Sequence, residues 1–403
     1  MIDLVIVGAG PAGLGAAIAA AENGLEVVIL DEFVKPGGRL LGQLHEEPDG
    51  RWENGIVEAQ KLYDCAARLG VTILCGVSVY DLQQVNNGWC VYTTKQPFES
   101  KCLLLATGAS ETPIPIPGWT LPGVMSIGAA QVMGNVHRVK PGEKGIIIGV
   151  NVLSVAIARE LQLCGVHIEG IMLPKQSLVS GDASKPEAMM ESLLRLSHLA
   201  PSPFIRFGGK WVSPKLGTLL YPRNGFKMWD IPIQLRKTAL EIVGDKQVEG
   251  VRVADISATG EVIPGKEKVV SADFVCIAGG LTPLSELASV AGCTFCYVPE
   301  LGGHIPLHNE YMQTNVDGLY VAGNITGVES AKVARAQGTV AGLSISRELH
   351  ALQDTADDFV HAAVMKVKET RRNALIQFQP GIEEARKALY EKYEEQAGKP
   401  ISI

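Results

Sequence analysis

The hydrophobic pattern at the start of the chain predicts a strand, a helix and a second strand in close succession. Residues 4–7 form a continuous apolar run that is typical of a buried parallel strand. An alanine-rich segment follows and ends at Asn23 and Gly24, as a helix with a terminal glycine does. A second apolar run, residues 27–30, completes a β-α-β unit.

Apolar segments farther along predict more elements of the same α/β type. The predicted elements are a helix at 63–69 and strands at 71–79, 89–94 and 101–105, with a turn at 86–88. The proline-rich segment 111–125 cannot form a helix or a central strand, because proline lacks the amide hydrogen that both require. We interpret this segment as the first connection between two domains.

A second copy of the opening unit follows the proline-rich segment. Residues 146–148 predict a strand and a helix comes next, and Gly149 and Gly165 have the same separation as Gly8 and Gly24. Such an internal repeat indicates two similar α/β nucleotide-binding domains.

The rest of the chain adds strands, a return to the first domain and a tail. The remaining predicted elements are strands at 248–254 and 274–278, a turn, strand and Gly-Asn pair at 314–324, a helix at 330–350, and a mostly charged helical tail at 354–403 with a break at 379–381.

The glycines between the first strand and helix follow the G-x-G-x-x-G spacing of dinucleotide-binding turns. Gly8 permits the tight turn, Gly10 lets a pyrophosphate approach the backbone, and Gly13 lets the helix pack against the strand. The start of the helix offers free N–H groups and the positive end of the helix dipole to the phosphates. An acid about 20 residues farther on accepts the ribose hydroxyls, and Asp31 or Glu32 meets this requirement.

The second copy departs from this spacing at three positions. Asn151 and Ser154 replace the second and third glycines, and Met172 stands where the acid is expected. Asn151 places a side chain where the pyrophosphate should lie, and a methionine cannot accept hydrogen bonds from ribose hydroxyls. We therefore expect a dinucleotide-binding fold with a damaged site, which is compatible with an adenine nucleotide held without hydride transfer.

Composition narrows the class of protein. A chain of 403 residues is long enough for two or three domains, and its net charge of −7 excludes a general affinity for nucleic acid. No apolar run reaches the roughly 20 residues that span a bilayer, and the N-terminus does not resemble a signal peptide. The eight cysteines are scattered, which favours a reducing compartment over a disulfide framework. We therefore expect a cytoplasmic protein with no membrane span.

An irregular stretch at 201–232 is rich in aromatic and basic residues, and two interpretations stay open. It is a surface excursion that packs its own aromatic side chains, or a docking surface, since interfaces favour Trp, Tyr and Arg. The residues concerned are Phe204, Arg206, Lys210, Trp211, Tyr221, Arg223, Phe226, Lys227 and Trp229.

Three motifs together resemble the two-dinucleotide-binding-domain flavoproteins, the glutathione and thioredoxin reductase superfamily. They are the N-terminal glycine fingerprint, the sequence Ala106-Thr107-Gly108, and the segment 314–324. The resemblance implies FAD in the first domain. The third motif of this family usually ends in Gly-Asp, whereas this chain has Gly323 and Asn324, and an asparagine hydrogen-bonds a hydroxyl without carrying charge.

The resemblance also implies which residues contact the cofactor. The glycine turn holds the pyrophosphate, an acid holds the adenosine ribose, the Gly-Gly loop lies near the isoalloxazine, and the Gly-Asn pair holds the ribityl chain and phosphate. The implied contacts are Gly8, Gly10, Pro11, Ala12, Gly13, Asp31, Glu32, Gly38, Arg39, Val79, Ala106, Thr107, Gly108, Gly323, Asn324 and Ala331. The sequence identifies no catalytic acid or base and no metal ligand.

A closer resemblance lies in segments 36–44, 108–131 and 299–306. These are similar to the α (A) subunits of opine oxidase, sarcosine oxidase, dye-linked proline and hydroxyproline dehydrogenases, and hydrogen cyanide synthase. In that group an amine is oxidised on a separate flavoprotein β subunit, and many α subunits carry a cysteine-ligated 2Fe–2S module near the C-terminus. The last cysteine of this chain is Cys296, so we expect any such cluster on another polypeptide, such as a small iron–sulfur protein.

Two other arrangements give weaker signals. Cys293 and Cys296 form a C-x-x-C, but they precede a strand-like segment, where residues three apart point to opposite faces and do not bridge easily. His304 and His308 have i, i+4 spacing, but Pro306 between them excludes a helical metal pair and favours a surface loop.

The expected architecture is α/β, with two Rossmann-like domains of the glutathione/thioredoxin reductase type, the second inserted in the first, and a C-terminal helical tail. We assign the FAD-binding domain to 1–117 and 299–353, a second, NAD(P)-type domain with a degenerate fingerprint to 118–298, and the tail to 354–403. The expected function is an FAD-dependent oxidoreductase that serves as the α-type electron-transfer subunit of a hetero-oligomeric amine or amino-acid dehydrogenase or oxidase. The alternatives are a stand-alone NAD(P)H-dependent flavin oxidoreductase of the thioredoxin reductase-like class and a non-enzymatic scaffold that keeps a nucleotide for structure.

Overall fold

The computed structural model describes residues 1–46, 50–195, 213–351, 356–375 and 380–397. The chain divides into two compact units: the first comprises Met1–Leu41, Asn54–Ser110 and Leu281–Ile403, and the second comprises Gly42–Glu53 and Glu111–Gly280. The main changeovers therefore fall after Ser110 and after Gly280, whereas the predicted domain boundaries lie after residues 117 and 298. Those domain assignments stay predictions.

The secondary structure alternates between strands and helices through most of the chain. The strands are β1 (Ile2–Val7), β2 (Val27–Asp31), β3 (Leu44–Glu46), β4 (Trp52–Asn54), β5 (Thr72–Cys75), β6 (Val79–Val85), β7 (Gly88–Thr93), β8 (Phe98–Leu105), β9 (Ala109–Glu111), β10 (Val124–Ser126), β11 (Lys144–Ile148), β12 (His167–Pro174), β13 (Phe226–Met228), β14 (Ile231–Val243), β15 (Gly250–Ile256), β16 (Val262–Ser271), β17 (Phe274–Ile277), β18 (Leu281–Pro283), β19 (Phe295–Val298), β20 (Gly303–Pro306) and β21 (Leu319–Val321). The helices are α1 (Pro11–Glu22), α2 (Gly55–Arg68), α3 (Ile127–Asn135), α4 (Val152–Leu163), α5 (Pro186–Arg195), α6 (Pro214–Leu220), α7 (Glu286–Val290), α8 (Ala331–Glu348), α9 (Ala356–Arg372) and α10 (Ile382–Ala397).

The first unit is built on a seven-stranded sheet with β1 near its centre. The strand order is β5-β2-β1-β8-β7-β6, with β21 also paired to β8, and β5, β2, β1, β8 and β21 run parallel. Leu4 and Ile6 belong to the hydrophobic core on one face of β1, and Val5 and Val7 belong to the core on the other face. Because both faces are covered, the strand is apolar throughout, as the sequence pattern predicts.

Helices α1 and α8 pack against each other through small residues. A Cβ atom added to Gly338 would lie 1.9 Å from the carbonyl oxygen of Ala12, and one added to Gly342 would lie 2.4 Å from that of Ala16. The alanine and glycine content of both helices therefore permits a close backbone approach. The same packing brings the start of α1 next to the segment that precedes α8.

The second unit repeats this plan with an eight-stranded sheet. Its order is β10-β17-β11-β12-β14-β15-β16, with β13 paired to β14, and β10, β17, β11, β12 and β14 run parallel. The remaining pairings, β13 with β14, β14 with β15 and β15 with β16, are antiparallel. The fold class inferred from the sequence repeat is thus confirmed.

Three local predictions differ from the structure or are refined by it. The single strand predicted at 71–79 is two strands, β5 and β6, because Gly76 adopts φ +67° and ends β5. The stretch predicted to be irregular at 201–232 contains α6 and β13 in its described part. The tail forms α9 and α10, as expected, and no helix within the described ranges is long and apolar enough to cross a bilayer.

Candidate functional site

The turn between β1 and α1 depends on two glycines for the packing of the protein itself. Gly8 has φ +108°, and a Cβ atom there would lie 2.4 Å from the carbonyl oxygen of Ala106. A Cβ atom on Gly13 would lie 1.9 Å from the carbonyl oxygen of Gly8. Both glycines therefore let backbone segments meet, and Gly8 brings the first motif beside Ala106 of the second.

Gly10 differs from its neighbours because the space in front of it is open. It has φ −75°, and no heavy atom lies within 4 Å of an added Cβ. It is the N-cap of α1 but gives the helix no side-chain cap, Pro11 follows as the first helical residue, and no acid occupies the first turn. The amides of Ala12 and Gly13 lack intrahelical partners at this end of the helix. The arrangement fits a pyrophosphate at the helix N-terminus.

Asp31 and Glu32, at the end of β2, have different environments. The Asp31 carboxylate accepts hydrogen bonds from the amides of Ala9, at 2.6 Å, and Phe33, at 2.8 Å. Burial raises the pKa of Asp31 above its usual value, while Glu32 is exposed. Asp31 therefore holds the glycine turn in place. Val79 is the first residue of β6, which follows β5 in the chain but pairs with β7 at the other end of the sheet.

The Gly-Gly loop lies against the glycine turn. The amide of Gly37 donates to the carbonyl oxygen of Ala9 at 2.8 Å, and a Cβ atom on Gly38, at φ +54°, would lie 3.0 Å from the Cα atom of Gly10. Arg39 donates from Nε and Nη2 to the carbonyl oxygen of Ala109, at 3.2 and 3.0 Å. The guanidinium of Arg39 is thus directed to the segment that follows the second motif.

The second and third motifs complete the cluster. The Thr107 hydroxyl donates to the carbonyl oxygen of Leu284 at 2.5 Å, and Gly108, at φ +82°, has no heavy atom within 4 Å of an added Cβ. The Cβ position of Gly323 lies 2.8 Å from the Cβ atom of Ala12. Ala331 is the first residue of α8, and the Ser330 side chain caps this helix. The structure therefore places the Gly-Gly loop and all three motifs in the first unit.

The amide of Gln337 is a member of this cluster that the sequence analysis missed. Its Oε1 atom accepts a hydrogen bond from the amide of Gly323 at 3.0 Å, and the side chain is buried. Its Nε2 atom is also buried and has no hydrogen-bond partner in the described structure. A polar residue at a core position of α8 was the one available signal. An FAD molecule fits these features: the open space in front of Gly10 and Gly108, the uncapped start of α1, which can bind an anion, and the unpaired donor of Gln337.

The second unit repeats the turn but not its free helix start. A Cβ atom added to Gly149, at φ +115°, would lie 2.1 Å from the carbonyl oxygen of Ala278. The corresponding distance in the first unit, from a Cβ atom added to Gly8 to the carbonyl oxygen of Ala106, is 2.4 Å. Asn151 Oδ1 accepts from the Ser154 amide and Ser154 Oγ accepts from the Asn151 amide, both at 2.9 Å. Asn151 Nδ2 donates to the carbonyl oxygen of Ala278 at 2.9 Å. The Asn151 side chain thus caps α4 and occupies an amide at the helix start that a phosphate would otherwise use. Where a pyrophosphate would lie in this unit stays a prediction.

The position that corresponds to Asp31 is Leu173, and its assignment to Met172 is wrong. The amide of Gly149 donates to the carbonyl oxygen of Met172, just as the amide of Gly8 donates to that of Leu30. The cause is a register shift between β11 and β12 that adds one residue to β12. Neither Leu173 nor the next residue, Pro174, carries a carboxylate.

A buried carboxylate in the second unit also went unnoticed in the sequence. Glu160 accepts hydrogen bonds from the amide of Leu44 at 3.2 Å, from Gln131 Nε2 at 2.8 Å and from Asn135 Nδ2 at 2.7 Å. Burial raises the pKa of Glu160 to about 7, although these donors oppose the shift. Every one of these donors is neutral, so none of them supplies a cation to the ionised form.

The two weaker sequence signals have structural explanations. Cys293 and Cys296 are free thiols, and burial raises the pKa of Cys293 to about 11. The expectation that His308 lies in a surface loop is wrong, because its side chain is fully buried. Burial lowers the pKa of His308 to about 3. Across the described ranges, no group of three or more His, Cys, Asp or Glu side chains is arranged to hold a metal ion.

Comparison with known proteins relates the chain to an oxidoreductase family and to named enzyme subunits. A family model described as pyridine nucleotide-disulphide oxidoreductase matches residues 2–194 and 224–338. The A subunit of opine oxidase from Agrobacterium tumefaciens (strain Ach5) is 30% identical over 359 residues, which are 86% of this chain and 66% of that protein. The HcnB subunit of hydrogen cyanide synthase from Pseudomonas protegens is 24% identical over 376 residues, 88% of this chain and 72% of that protein. The chain thus spans about two thirds of the length of these curated relatives.

Solved structures share the fold. L-proline dehydrogenase from P. horikoshii matches with a TM-score of 0.65 at 18% identity and covers 91% of this chain, which spans 58% of that one. Thioredoxin reductase from T. acidophilum matches with a TM-score of 0.62 at 23% identity, over 87% of this chain and 99% of that one. These matches confirm the thioredoxin reductase-like architecture.

Proposed function

The chain belongs to the pyridine nucleotide-disulphide oxidoreductase family, and we propose that this FAD-dependent oxidoreductase is the α-type electron-transfer subunit of a hetero-oligomeric amine or amino-acid dehydrogenase or oxidase. The observation that carries the proposal is the contrast between the two helix starts. In the first unit the start of α1 has no side-chain cap, whereas in the second Asn151 and Ser154 cap α4. A protein that keeps an open FAD site in the first unit, but whose helix start in the second, nicotinamide-type unit is capped, needs a source of electrons other than NAD(P)H.

The names of the relatives support a partner as that source. The opine oxidase and hydrogen cyanide synthase relatives are each named as one subunit of an enzyme. By analogy, the partner of this chain is a second flavoprotein, of β type, on which a small amine or amino acid is oxidised. Any iron–sulfur cluster would lie on a further protein. The free cysteines of the described structure suit a cytoplasmic location.

The residues of the first unit have distinct roles toward the cofactor in this proposal. Gly10 and the amides of Ala12 and Gly13 bind the pyrophosphate. Because the carboxylate of Asp31 already accepts from two backbone amides, its neighbour Glu32 accepts hydrogen bonds from the adenosine ribose. Further contacts come from Pro11, Gly38, Arg39, Val79, Ala106, Thr107, Gly108, Gly323, Asn324 and Ala331. Bound FAD would supply the redox chemistry, and the protein supplies position and electrostatics. We assign no acid or base.

The experiment that tests the proposal is purification of the native chain with its binding partners. We expect a complex that contains a second flavoprotein, that survives gel filtration and that reduces the FAD of this chain when an amine or amino acid is added. A stable interface of this kind buries at least about 1,200 Å² in total. A chain that runs alone and oxidises an amine unaided would overturn the subunit role.

A second candidate is the stand-alone NAD(P)H-dependent flavin oxidoreductase. The retained turn at Gly149 favours it, because this turn has the geometry of its counterpart at Gly8. Rapid bleaching of the flavin by NADH under anaerobic conditions would support this candidate. An adenine nucleotide bound in the second unit, without bleaching, would instead agree with the subunit proposal.

A further inference from the structure

Three hydrogen bonds hold the backbone of Gly323 and the side chain of Asn324. The Thr326 hydroxyl donates to the carbonyl oxygen of Gly323 at 2.8 Å, and Gln337 Oε1 accepts from the Gly323 amide at 3.0 Å. The backbone amide of Glu329 donates to Asn324 Oδ1 at 3.2 Å. Because a backbone N–H can only donate, the oxygen of the Asn324 side chain faces Glu329 and its NH₂ group is directed elsewhere.

The side chain of Glu329 is clamped by two arginines from the C-terminal tail. Arg371 of α9 donates from Nε to Oε1 at 2.5 Å and from Nη2 to Oε2 at 3.1 Å. Arg386 of α10 approaches Oε2 with Nη2 at 2.6 Å and Nε at 2.9 Å. Glu329 is 7% exposed and Arg386 is 1% exposed. In such a buried site, loss of Glu329 would leave Arg386 without its countercharge, whereas loss of one arginine leaves Glu329 paired with the other.

Arg386 also contacts Thr326, the residue that supports the backbone of Gly323. Its Nη2 atom lies 3.3 Å from the hydroxyl of Thr326, which in turn holds the carbonyl of Gly323. Through Glu329 and Thr326, the tail therefore contacts the supports of both Gly323 and Asn324. This connection is specific: Arg372, next to Arg371, forms an exposed ion pair with Glu383 of α10 and joins the same two helices away from Glu329.

We propose that Arg371 and Arg386 are positioning residues for the cofactor: by fixing Glu329, they hold Asn324 in the orientation in which its NH₂ group donates to bound FAD. The inference rests on the proposed role of Asn324 in the FAD site. It gives the asparagine at this position a purpose, because an aspartate held by the same Glu329 amide would present only an acceptor. The C-terminal tail thus acts on the cofactor without touching it.

The test compares FAD release from two neighbouring arginine variants of the full chain. Arg371→Met removes one side of the clamp but leaves Glu329 paired with Arg386, and Arg372→Met is the matched control. The measurement is the rate at which flavin fluorescence rises as FAD leaves the protein, together with the visible spectrum of the flavin that remains bound. We expect release from Arg371→Met to be about tenfold faster, no change for Arg372→Met, and partial rescue by Arg371→Lys.

A double-mutant cycle with Asn324→Ala separates positioning from a merely structural role. If Arg371 acts through Asn324, Arg371→Met will accelerate FAD release in the wild-type background and will have little further effect beside Asn324→Ala. Equal acceleration in both backgrounds, or equal release from Arg371→Met and Arg372→Met, would overturn the inference. If Asn324→Ala alone left the release rate and the spectrum unchanged, the proposed FAD contact at Asn324 would be wrong instead.

Discussion

Asn151 and Ser154 each accept a hydrogen bond from the other's backbone amide, both at 2.9 Å, and so close the start of α4. The equivalent helix start in the first unit has Gly10 as an uncapped N-cap. A reciprocal cap stabilises its helix by about 1 kcal/mol and occupies an amide that a phosphate would use. The two units therefore share a turn but differ in what that turn can bind.

Substitution of Gly10 should remove FAD and leave the fold intact. A Cβ atom at Gly10 meets nothing within 4 Å, and its φ of −75° suits any residue. The branched side chain of Gly10→Val therefore projects into the space assigned to the pyrophosphate. We expect colourless protein with a wild-type circular dichroism spectrum. Gly13→Val, whose Cβ atom clashes with backbone, should misfold, and a folded Gly10→Val protein with full flavin would contradict the assignment.

NADH should reduce the flavin slowly or not at all. The cap formed by Asn151 and Ser154 and the absence of an acid at Leu173 remove the features that bind a nicotinamide dinucleotide. Stopped-flow mixing under anaerobic conditions, followed at the flavin absorption band, is the measurement, and dithionite reduction serves as the control. Reduction on the order of 10 per second, an ordinary enzyme turnover, would show that the second unit is a working NADH site.

Trp229 should contribute to partner binding. It is 36% exposed, and with Asp230 it forms a turn in which both residues have positive φ, 50° and 66°. Asparagine tolerates this backbone conformation, so Trp229→Asn should remove the indole and keep the turn between β13 and β14. If Trp229 is an anchor, assembly should weaken by about 2 kcal/mol in a binding titration, with FAD content unchanged. Trp119→Ala is a control with comparable exposure, 41%.

The other tryptophan of the same stretch, Trp211, lies outside the described residues, and Trp211→Ala is expected to weaken assembly to a similar degree. Normal assembly of both variants would contradict the docking surface alone and would leave the subunit role standing.

The pH dependence of stability should contain a contribution from Glu160. Burial raises its pKa from 4.5 to about 7 in the folded state. The stabilisation by the bound proton is complete below pH 4.5 and is lost as the pH rises through about 7. The free energy of unfolding of Glu160→Gln at pH 8, measured by urea denaturation, should therefore exceed that of the wild type by roughly 3 kcal/mol. The difference should be smaller at pH 5. Equal destabilisation at both pH values would contradict the raised pKa.

The sequence was sufficient for the fold because its signals were local and repeated. The run at residues 4–7, the glycine spacing and the second copy each fix a strand-turn-helix geometry within about 25 residues. Glu160 and Glu329 could not be found this way, because their partners lie far along the chain: Leu44 for the first, Arg371 and Arg386 for the second. His308 looked exposed because its burial comes from the tail, where Tyr390 packs edge-on against its ring.

The extra residue in β12 has an evolutionary consequence. Gly145 pairs with Ile168 and Ile146 with Gly170, so Glu169 is the unpaired insertion. Met172 and Leu173 are successive strand residues and project into different hydrophobic cores. Met172→Glu would therefore bury a charge instead of reaching a ribose. Restoring a dinucleotide site of the ordinary type would require a carboxylate at Leu173 together with removal of the cap at Asn151. Because both changes are needed together, no single substitution restores such a site.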